Sequence, residues 1–257
     1  PYDRMRKLFR RISADDFTSN ENDKPYYLMK QMKQLSKIDS QFSDEHKLYD
    51  FSVLLSAGYE TSSFAIITAL YYLGNNEEIQ EKARNEVNMI LNDKENDIMD
   101  YEDILKLKYL ECILNESMRL QPPIPGFGYE AETDISIDGY KFSKGTQILF
   151  PLHVIHMNEE YFPNPSAFNP DRFFNQNLCE FDGAFMPFGK GSRTCIGSRL
   201  AMIVMKHILA KILYYYSWRH EGNKDDFRVE VTIGATVKSP VNLTFLRLPK
   251  NKNNDYK

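Results

Sequence analysis

The chain has 257 residues, 42% of them hydrophobic, and a formal net charge of −4. This length and apolar content can build a sizeable core and exclude a globally disordered chain. No basic stripe stands out, so we expect no nucleic-acid partner. Three cysteines without Cys-x-x-Cys spacing argue against a disulfide scaffold and favour a reducing, intracellular compartment.

The N-terminal half of the sequence predicts helices separated by polar loops. Ser43 is a favourable cap for a long helix that runs to about Leu73 and stops at Gly74. Pro122 and Pro123 end the last helix of this half. Beside a loop over 13–25, further helices are predicted over 26–37, 77–91, 102–105 and 109–120.

Residues 51–73 of the long helix are long and apolar enough to span a bilayer. Glu60 lies near the centre of this stretch, where a carboxylate costs roughly 2.5–3.5 kcal/mol on insertion scales. Several serines and threonines surround it. We therefore predict a buried core helix and no membrane anchor in this chain, with a membrane-embedded helix as the alternative.

The C-terminal half combines short strands with one long helix. Asp138-Gly139 predicts the turn of a hairpin over 134–142. The other predicted elements are a strand over 146–150, an ordered but irregular meander over 157–192, a helix over 197–216, strands over 227–248 with a turn at Ser239-Pro240, and a disordered tail over 249–257. The expected fold class is therefore mainly α with minor β.

The chemistry is concentrated in Phe188-Gly-Lys-Gly-Ser-Arg-Thr-Cys-Ile-Gly197. Cys195 lies among glycines and just before a helix start, where backbone N–H groups favour a thiolate. Such a thiolate can be a nucleophile or a metal ligand. Arg193 supplies a cation two residues before it.

Several uses of this cysteine stay open on chemistry alone. Zinc and iron–sulfur sites need about four ligands, which are not found nearby. A catalytic cysteine would need a histidine base, for which His153, His156 and His207 are available. Haem needs one axial thiolate and a cation for a propionate. Haem is modestly ahead of a nucleophile or a buried structural cysteine.

Phe188-x-x-Gly191-x-Arg193-x-Cys195-x-Gly197 resembles the ligand-loop signature of the cytochrome P-450 family at every fixed position. The resemblance implies haem b, with Cys195 as the thiolate ligand of the iron. It also implies that Phe188 packs beside the sulfur and that Arg193 holds a propionate. Gly191 and Gly197 would let the backbone pass close to the ring.

Two helical segments resemble further parts of the same family. Glu116 and Arg119 share one helix face, and the resemblance adds Arg172 of the meander to form a buried network that locks the fold. Ala57-Gly-Tyr-Glu60-Thr61 resembles the oxygen-activation segment. There Ala57 and Gly58 would border a gap for dioxygen, opened by a kink, and Glu60 and Thr61 would relay protons.

The resemblance runs from about residue 26 to 248 but covers only the C-terminal half of the family's fold, so 1–257 is expected to be a portion of one domain. It implies a monooxygenase that inserts one atom of dioxygen into a small organic substrate. No nucleotide fingerprint is present, so the electrons would come from a separate NADPH-dependent reductase. The expected location is the endoplasmic reticulum membrane, contacted through the part missing here. The alternative is a truncated, non-catalytic remnant with little stability or activity of its own.

The segment after the prolines departs from the family. Tyr129 and Glu130 stand near the place where a basic residue usually faces a propionate, which puts haem retention in question. Residues 124–127 and 233–236 are expected to line the substrate pocket. His156 stands where the family often has a histidine, and we expect a structural role for it.

Overall fold

The computed structural model describes residues 34, 38, 43–92, 94, 97–174, 183–223, 227–231 and 234–249. The chain forms two compact units, Pro1–Glu60 and Thr61–Lys257. The loop predicted over 13–25 and the tail beyond Pro249 lie outside the described residues. The helix predicted over 26–37 also lies outside them, apart from Gln34, which is helical.

Helix α1 spans Asp44–Gly74, as predicted, and crosses from the first unit into the second. Its first turn is capped, because Ser43 Oγ accepts a hydrogen bond from the backbone N–H of His46 at 3.3 Å. Of the described helices, this stretch alone is long and apolar enough to cross a membrane by length and composition.

The two parts of α1 differ in burial. In the second unit, Ala65, Ala69 and Leu73 are buried in the core. In the first unit, Val53 and Tyr59 are 64% and 71% exposed. The predicted core helix is therefore confirmed after Thr61, whereas the part before Glu60 leaves large apolar side chains exposed.

Three helices follow α1 within one or two residues of the predicted bounds: α2 (Glu77–Leu91), α3 (Tyr101–Lys106) and α4 (Lys108–Leu120). The Asp100 carboxylate caps α3 by accepting from Asp103 N at 2.9 Å. The main core is built from α1, α2, α4 and a later helix α6 (Ser198–Tyr215), and it includes Leu73, Val87, Leu110, Ile113, Leu114, Leu209 and Leu213.

The described strands are β1 Phe127–Glu130, β2 Ile135–Ile137, β3 Tyr140–Phe142, β4 Gln147–Phe150, β5 Tyr216–His220, β6 Val229–Val231, β7 Ala235–Val237 and β8 Leu243–Arg247. They form four two-stranded antiparallel sheets, in which β1 pairs with β4, β2 with β3, β5 with β8 and β6 with β7. Asp138 and Gly139, with φ of 50° and 83°, form the predicted turn between β2 and β3.

Some of these elements differ from the prediction. Strand β5 (Tyr216–His220) directly follows α6, where no strand was predicted, and its partner β8 lies far along the chain. Strand β1 and helix α5 (Leu152–His156) are additional short elements. Ser239-Pro240 separates β7 from β8, which belong to different sheets and do not pair as a hairpin.

The meander is irregular but well packed, as predicted. Residues 157–174 and 183–192 contain only the 3-10 turns Pro170–Phe173 and Gly191–Arg193 as regular elements. A second buried cluster anchors this region and consists of Cys112, Phe162, Phe173, Ala184 and Phe185. The fold class, mainly α with minor β, is confirmed over the described part of the chain.

Candidate functional site

Cys195 stands at the end of a turn closed by the main chain. Its N–H donates to the carbonyl oxygen of Phe188 at 2.9 Å, and Thr194 Oγ1 donates to the same oxygen at 3.3 Å. The Phe188 ring is partly buried and packs against the main core. The start of the turn at Phe188, which we call its root, is therefore anchored on the core. The Cys195 thiol lies at the exposed end of the turn.

The glycines of this turn are required by backbone conformation. Gly189 and Gly191 have φ of 73° and 84°, a region that side-chain-bearing residues rarely adopt. A Cβ on Gly191 would meet no described atom within 4 Å, so crowding by the chain itself is not the reason for this glycine. Gly189 was missed as a site residue, although the Phe-Gly-Lys-Gly spacing in the sequence was a signal for it.

Gly197 lies between the exposed Cys195 thiol and helix α6. Gly197 is the N-cap of α6, and its carbonyl accepts from Ala201 N at 2.8 Å. A Cβ at Gly197 would lie 3.8 Å from Cys195 Sγ, which is ordinary van der Waals contact. The role predicted for Gly197, close approach to a flat ring, stays a prediction.

The surface beside the thiol combines three chemical features. Cys195 is a free, exposed cysteine. Arg193 is exposed and makes no hydrogen bond or ion pair to any described residue. Ile196 and Leu200 are 89% and 66% exposed. An exposed thiol, an available cation and an apolar surface suit a flat, anionic, metal-containing group, so these residues fit haem.

The predicted Glu116–Arg119–Arg172 network is confirmed. Arg119 donates to the Glu116 carboxylate at 2.8 and 2.9 Å, and both side chains are fully buried. Arg172 Nε and Asn169 N reach the same carboxylate at 3.1 and 2.9 Å. The carboxylate has donors from both the helix and the meander, which compensates the cost of its burial.

Arg119 has further acceptors in the meander. Its Nη atoms donate to the carbonyl oxygens of His156 and Pro165, each at 2.8 Å. Ala167 O adds a weaker contact at 3.3 Å. The guanidinium thus joins α4 to α5 and to the following loop.

The predicted oxygen-activation residues lie on α1 at the boundary of the two units. Ala57, Gly58 and Glu60 are exposed residues of the first unit, and Thr61 is a half-buried residue of the second. The α-helix runs through them without interruption. The gap, the kink and the proton relay predicted there stay predictions.

The segment after the prolines contacts the last β region, and the substrate pocket predicted there stays a prediction. Ala235 N donates to Pro123 O at 2.8 Å, and a Cβ on Gly234 would lie 3.6 Å from Ile124 Cδ1. Residue 233 of the predicted pocket lies outside the described residues.

Tyr129 and Glu130, which replace the expected basic residue, are both engaged within the β1–β4 pair. Tyr129 lies edge-on to the rings of Phe127 and Phe150. The exposed Glu130 carboxylate accepts from Gln147 Nε2 at 2.7 Å.

Comparison with known proteins identifies the family. The sequence model described as Cytochrome P450 matches residues 4–245. Cytochrome P450 4V2 of Homo sapiens is 32% identical over 84% of this chain, and cytochrome P450 4c21 of Blattella germanica is 34% identical over 81%. Cytochrome P450 3A17 of Cavia porcellus is 30% identical over 82%. The chain belongs to the cytochrome P450 family.

The chain spans less than half the length of the curated relatives that it matches. The matched region covers 40% of the human protein, 42% of the Blattella germanica protein and 43% of the Cavia porcellus protein.

Proposed function

We propose that this chain is the haem-binding, C-terminal portion of a single monooxygenase domain, with Cys195 as the iron ligand. The observation that carries the proposal is the exposed, free Cys195 thiol on a turn rooted by Phe188, beside a cation with no described partner. Family membership supports the same assignment, since a P450 carries haem iron on a cysteine thiolate.

Each residue of the turn has a distinct task in this proposal. The Cys195 thiolate would be the ligand that holds the haem iron. Arg193 pairs with a propionate, because its guanidinium is exposed and matches a carboxylate in geometry. Phe188 would pack beside the sulfur, and Gly191 and Gly197 would keep the backbone free of side chains that could meet the ring.

Haem, when bound, supplies the activation of dioxygen that inserts one oxygen atom into a small organic substrate. In the proposal, Ala57 and Gly58 leave room beside the helix for dioxygen. The Thr61 hydroxyl and the Glu60 carboxylate hold protons and pass them toward the space proposed for dioxygen. Residues 124–127 and 234–236 form part of the substrate wall, supported by the hydrogen bond from Ala235 N to Pro123 O, which joins the two segments.

Electron supply and location are also proposals. We assign the electrons to a separate NADPH-dependent reductase and the location to the endoplasmic reticulum membrane. Family membership supports an organic substrate and a redox partner in general.

The ligand assignment is tested by the absorption spectrum of the haem-loaded, reduced, carbon-monoxide-treated chain. A red-shifted band is expected for the natural chain and for Cys112→Ser, since Cys112 is buried in the second cluster. Cys195→Ser should abolish the band. Its persistence in Cys195→Ser would overturn the assignment. A folded natural chain that takes up no haem would support the alternative, a non-catalytic remnant.

A further inference from the structure

His156 is a buried histidine that the proposed chemistry does not use. It ends helix α5 and is fully inaccessible to solvent. Its ring lies between Phe162 and Phe185, with centroid distances of 6.2 and 5.4 Å. A polar ring in an aromatic cluster loses its hydration, so its nitrogen atoms need protein partners.

The two polar ends of His156 face two different parts of the molecule. Its carbonyl oxygen accepts from Arg119 Nη1 at 2.8 Å. Its Nε2 accepts from the backbone N–H of Met186 at 3.4 Å. A ring nitrogen that accepts carries no proton, so the proton lies on Nδ1. Within the described part of the chain, Nδ1 is buried and makes no hydrogen bond of good geometry, although the backbone of Arg119 and Met118 lies close enough to act on the ring.

This arrangement has an energetic meaning. A buried donor without a well-formed hydrogen bond is unfavourable, so the imidazole ring carries a cost at this place in the cluster. A leucine or phenylalanine would fill the same cluster without that cost. The feature that neither of them can supply is the acceptor that His156 presents to Met186 N.

Met186 leads directly into the Cys195 turn. The Met186 carbonyl accepts from Gly189 N at 3.0 Å, and the Phe188 carbonyl accepts from Cys195 N at 2.9 Å. Hydrogen bonds therefore follow one another from Arg119 through His156 and Met186 to the turn that holds the thiol. A displacement of Met186 would shift the carbonyl on which the turn closes.

We propose that His156 is a positioning residue that fixes the root of the Cys195 turn to the buried Glu116–Arg119 pair. The inference rests on the proposed function, because the turn is functional only if Cys195 is the iron ligand. His156 does not touch the reacting atoms. It acts through the Met186 amide and determines where the sulfur stands.

Two substitutions separate this role from simple filling of the cluster. His156→Leu keeps an apolar volume and removes the acceptor. His156→Gln keeps an acceptor, because its amide oxygen reaches the place of Nε2. His153→Leu is the matched control, since His153 lies on the same short helix and is exposed.

The first readout is backbone hydrogen exchange of the full 257-residue chain without haem. In His156→Leu, exchange over 186–195 should rise about ten-fold, because the 3.4 Å bond is lost and the half-buried Met186 N–H is left unpaired. Exchange over α2 should stay unchanged, and His156→Gln should return the turn to within about three-fold of the natural chain. His153→Leu should match the natural chain throughout.

Two results would overturn the inference. One is turn exchange in His156→Leu equal to that of the natural chain. The other is His156→Gln as fast as His156→Leu, which would mean that the ring's shape matters and its acceptor does not. If His156→Leu does not fold, His156→Asn replaces it, because an asparagine amide reaches only the place of Nδ1 and leaves Met186 N unpaired.

The second readout separates this inference from the function on which it rests. After haem loading, His156→Leu should lose the red-shifted band of the reduced carbon-monoxide complex, and His156→Gln should keep it. If the natural chain lacks that band but the variants show the expected exchange pattern, the proposed function is contradicted. His156 would then still anchor the turn. If every variant shows the red-shifted band and unchanged hydrogen exchange, the positioning role of His156 is contradicted and the proposed function stands.

Discussion

The N–H of Cys195 donates to the carbonyl oxygen of Phe188 at 2.9 Å, and the Phe188 ring packs on the main core. This bond holds an exposed thiol on a fixed base. Cys112 is in the opposite situation, because burial raises the pKa of its thiol to about 12. The two cysteines of the described chain should therefore differ sharply in reactivity.

We expect a maleimide to modify Cys195 rapidly and Cys112 only after unfolding, because the thiolate is the reacting form and needs access. The experiment uses a Cys179→Ser background, since Cys179 lies outside the described residues. Mass spectrometry of the native protein should show one added label, and denaturant should add a second. Equal labelling of Cys112 under native conditions would contradict the burial of that thiol.

Glu116→Gln should destabilise the chain strongly. The substitution removes the charge that balances Arg119 and Arg172 in a buried site, for which a loss of roughly 3–5 kcal/mol is typical. Denaturant unfolding followed by circular dichroism measures the loss. The control is Glu230→Gln on the exposed Lys238–Glu230 pair, where the side chains are 62% and 51% exposed and the cost should be below about 1 kcal/mol. Similar losses at both sites would show that the buried network is not a fold lock.

Two glycine substitutions should act in opposite directions. Gly58 lies within α1, and a Cβ added there would meet no described atom within 4 Å, so Gly58→Ala should stabilise the helix by about 0.5–1 kcal/mol. Gly191 has a φ of 84°, so Gly191→Ala should destabilise by roughly 1–2 kcal/mol. Melting temperatures of the two variants test both signs. A stabilised Gly191→Ala would contradict the left-handed turn.

Acid should weaken the fold through His156. Burial, followed by the charge of Arg119, lowers the pKa of His156 to about 4 from its ordinary 6.5. Between these values the unfolded chain takes up a proton that the folded chain does not, so stability is complete above about pH 6.5 and declines toward pH 4. The decline amounts to about 3 kcal/mol.

The non-titrating variant His156→Gln isolates this effect. Its stability relative to the natural chain, measured by denaturant unfolding, should improve as the pH falls from 7 to 4.5, because the other titrating groups are common to both proteins. A difference that stays constant over this range would place the His156 pKa at its ordinary value.

Local patterns predicted the parts of the fold and site that depend on nearby residues. The cap at Ser43, the Asp138-Gly139 turn and the i, i+3 pair of Glu116 with Arg119 each follow from local spacing. The glycines around Cys195 likewise signalled a turn.

Features that depend on distant partners could not be predicted in this way. Strand β5 pairs with β8, and neither strand has a hairpin turn that would show the pairing. The contact of His156 with Met186 joins residues 30 positions apart through a single imidazole, which has no periodicity to reveal it. The exposed first part of α1 has the composition of a core helix, and composition alone does not determine what covers it.

The Glu116 carboxylate takes donors from its own helix and from Arg172 and Asn169, which lie 56 and 53 positions further on. The backbone hydrogen bonds of α4 are local and can form early, but the Glu116 carboxylate stays hydrated until the meander packs against it. Closing so long a loop costs entropy before the bonds form. Docking of the meander is therefore a late folding step, and a chain halted during synthesis before Arg172 would carry α4 without its lock.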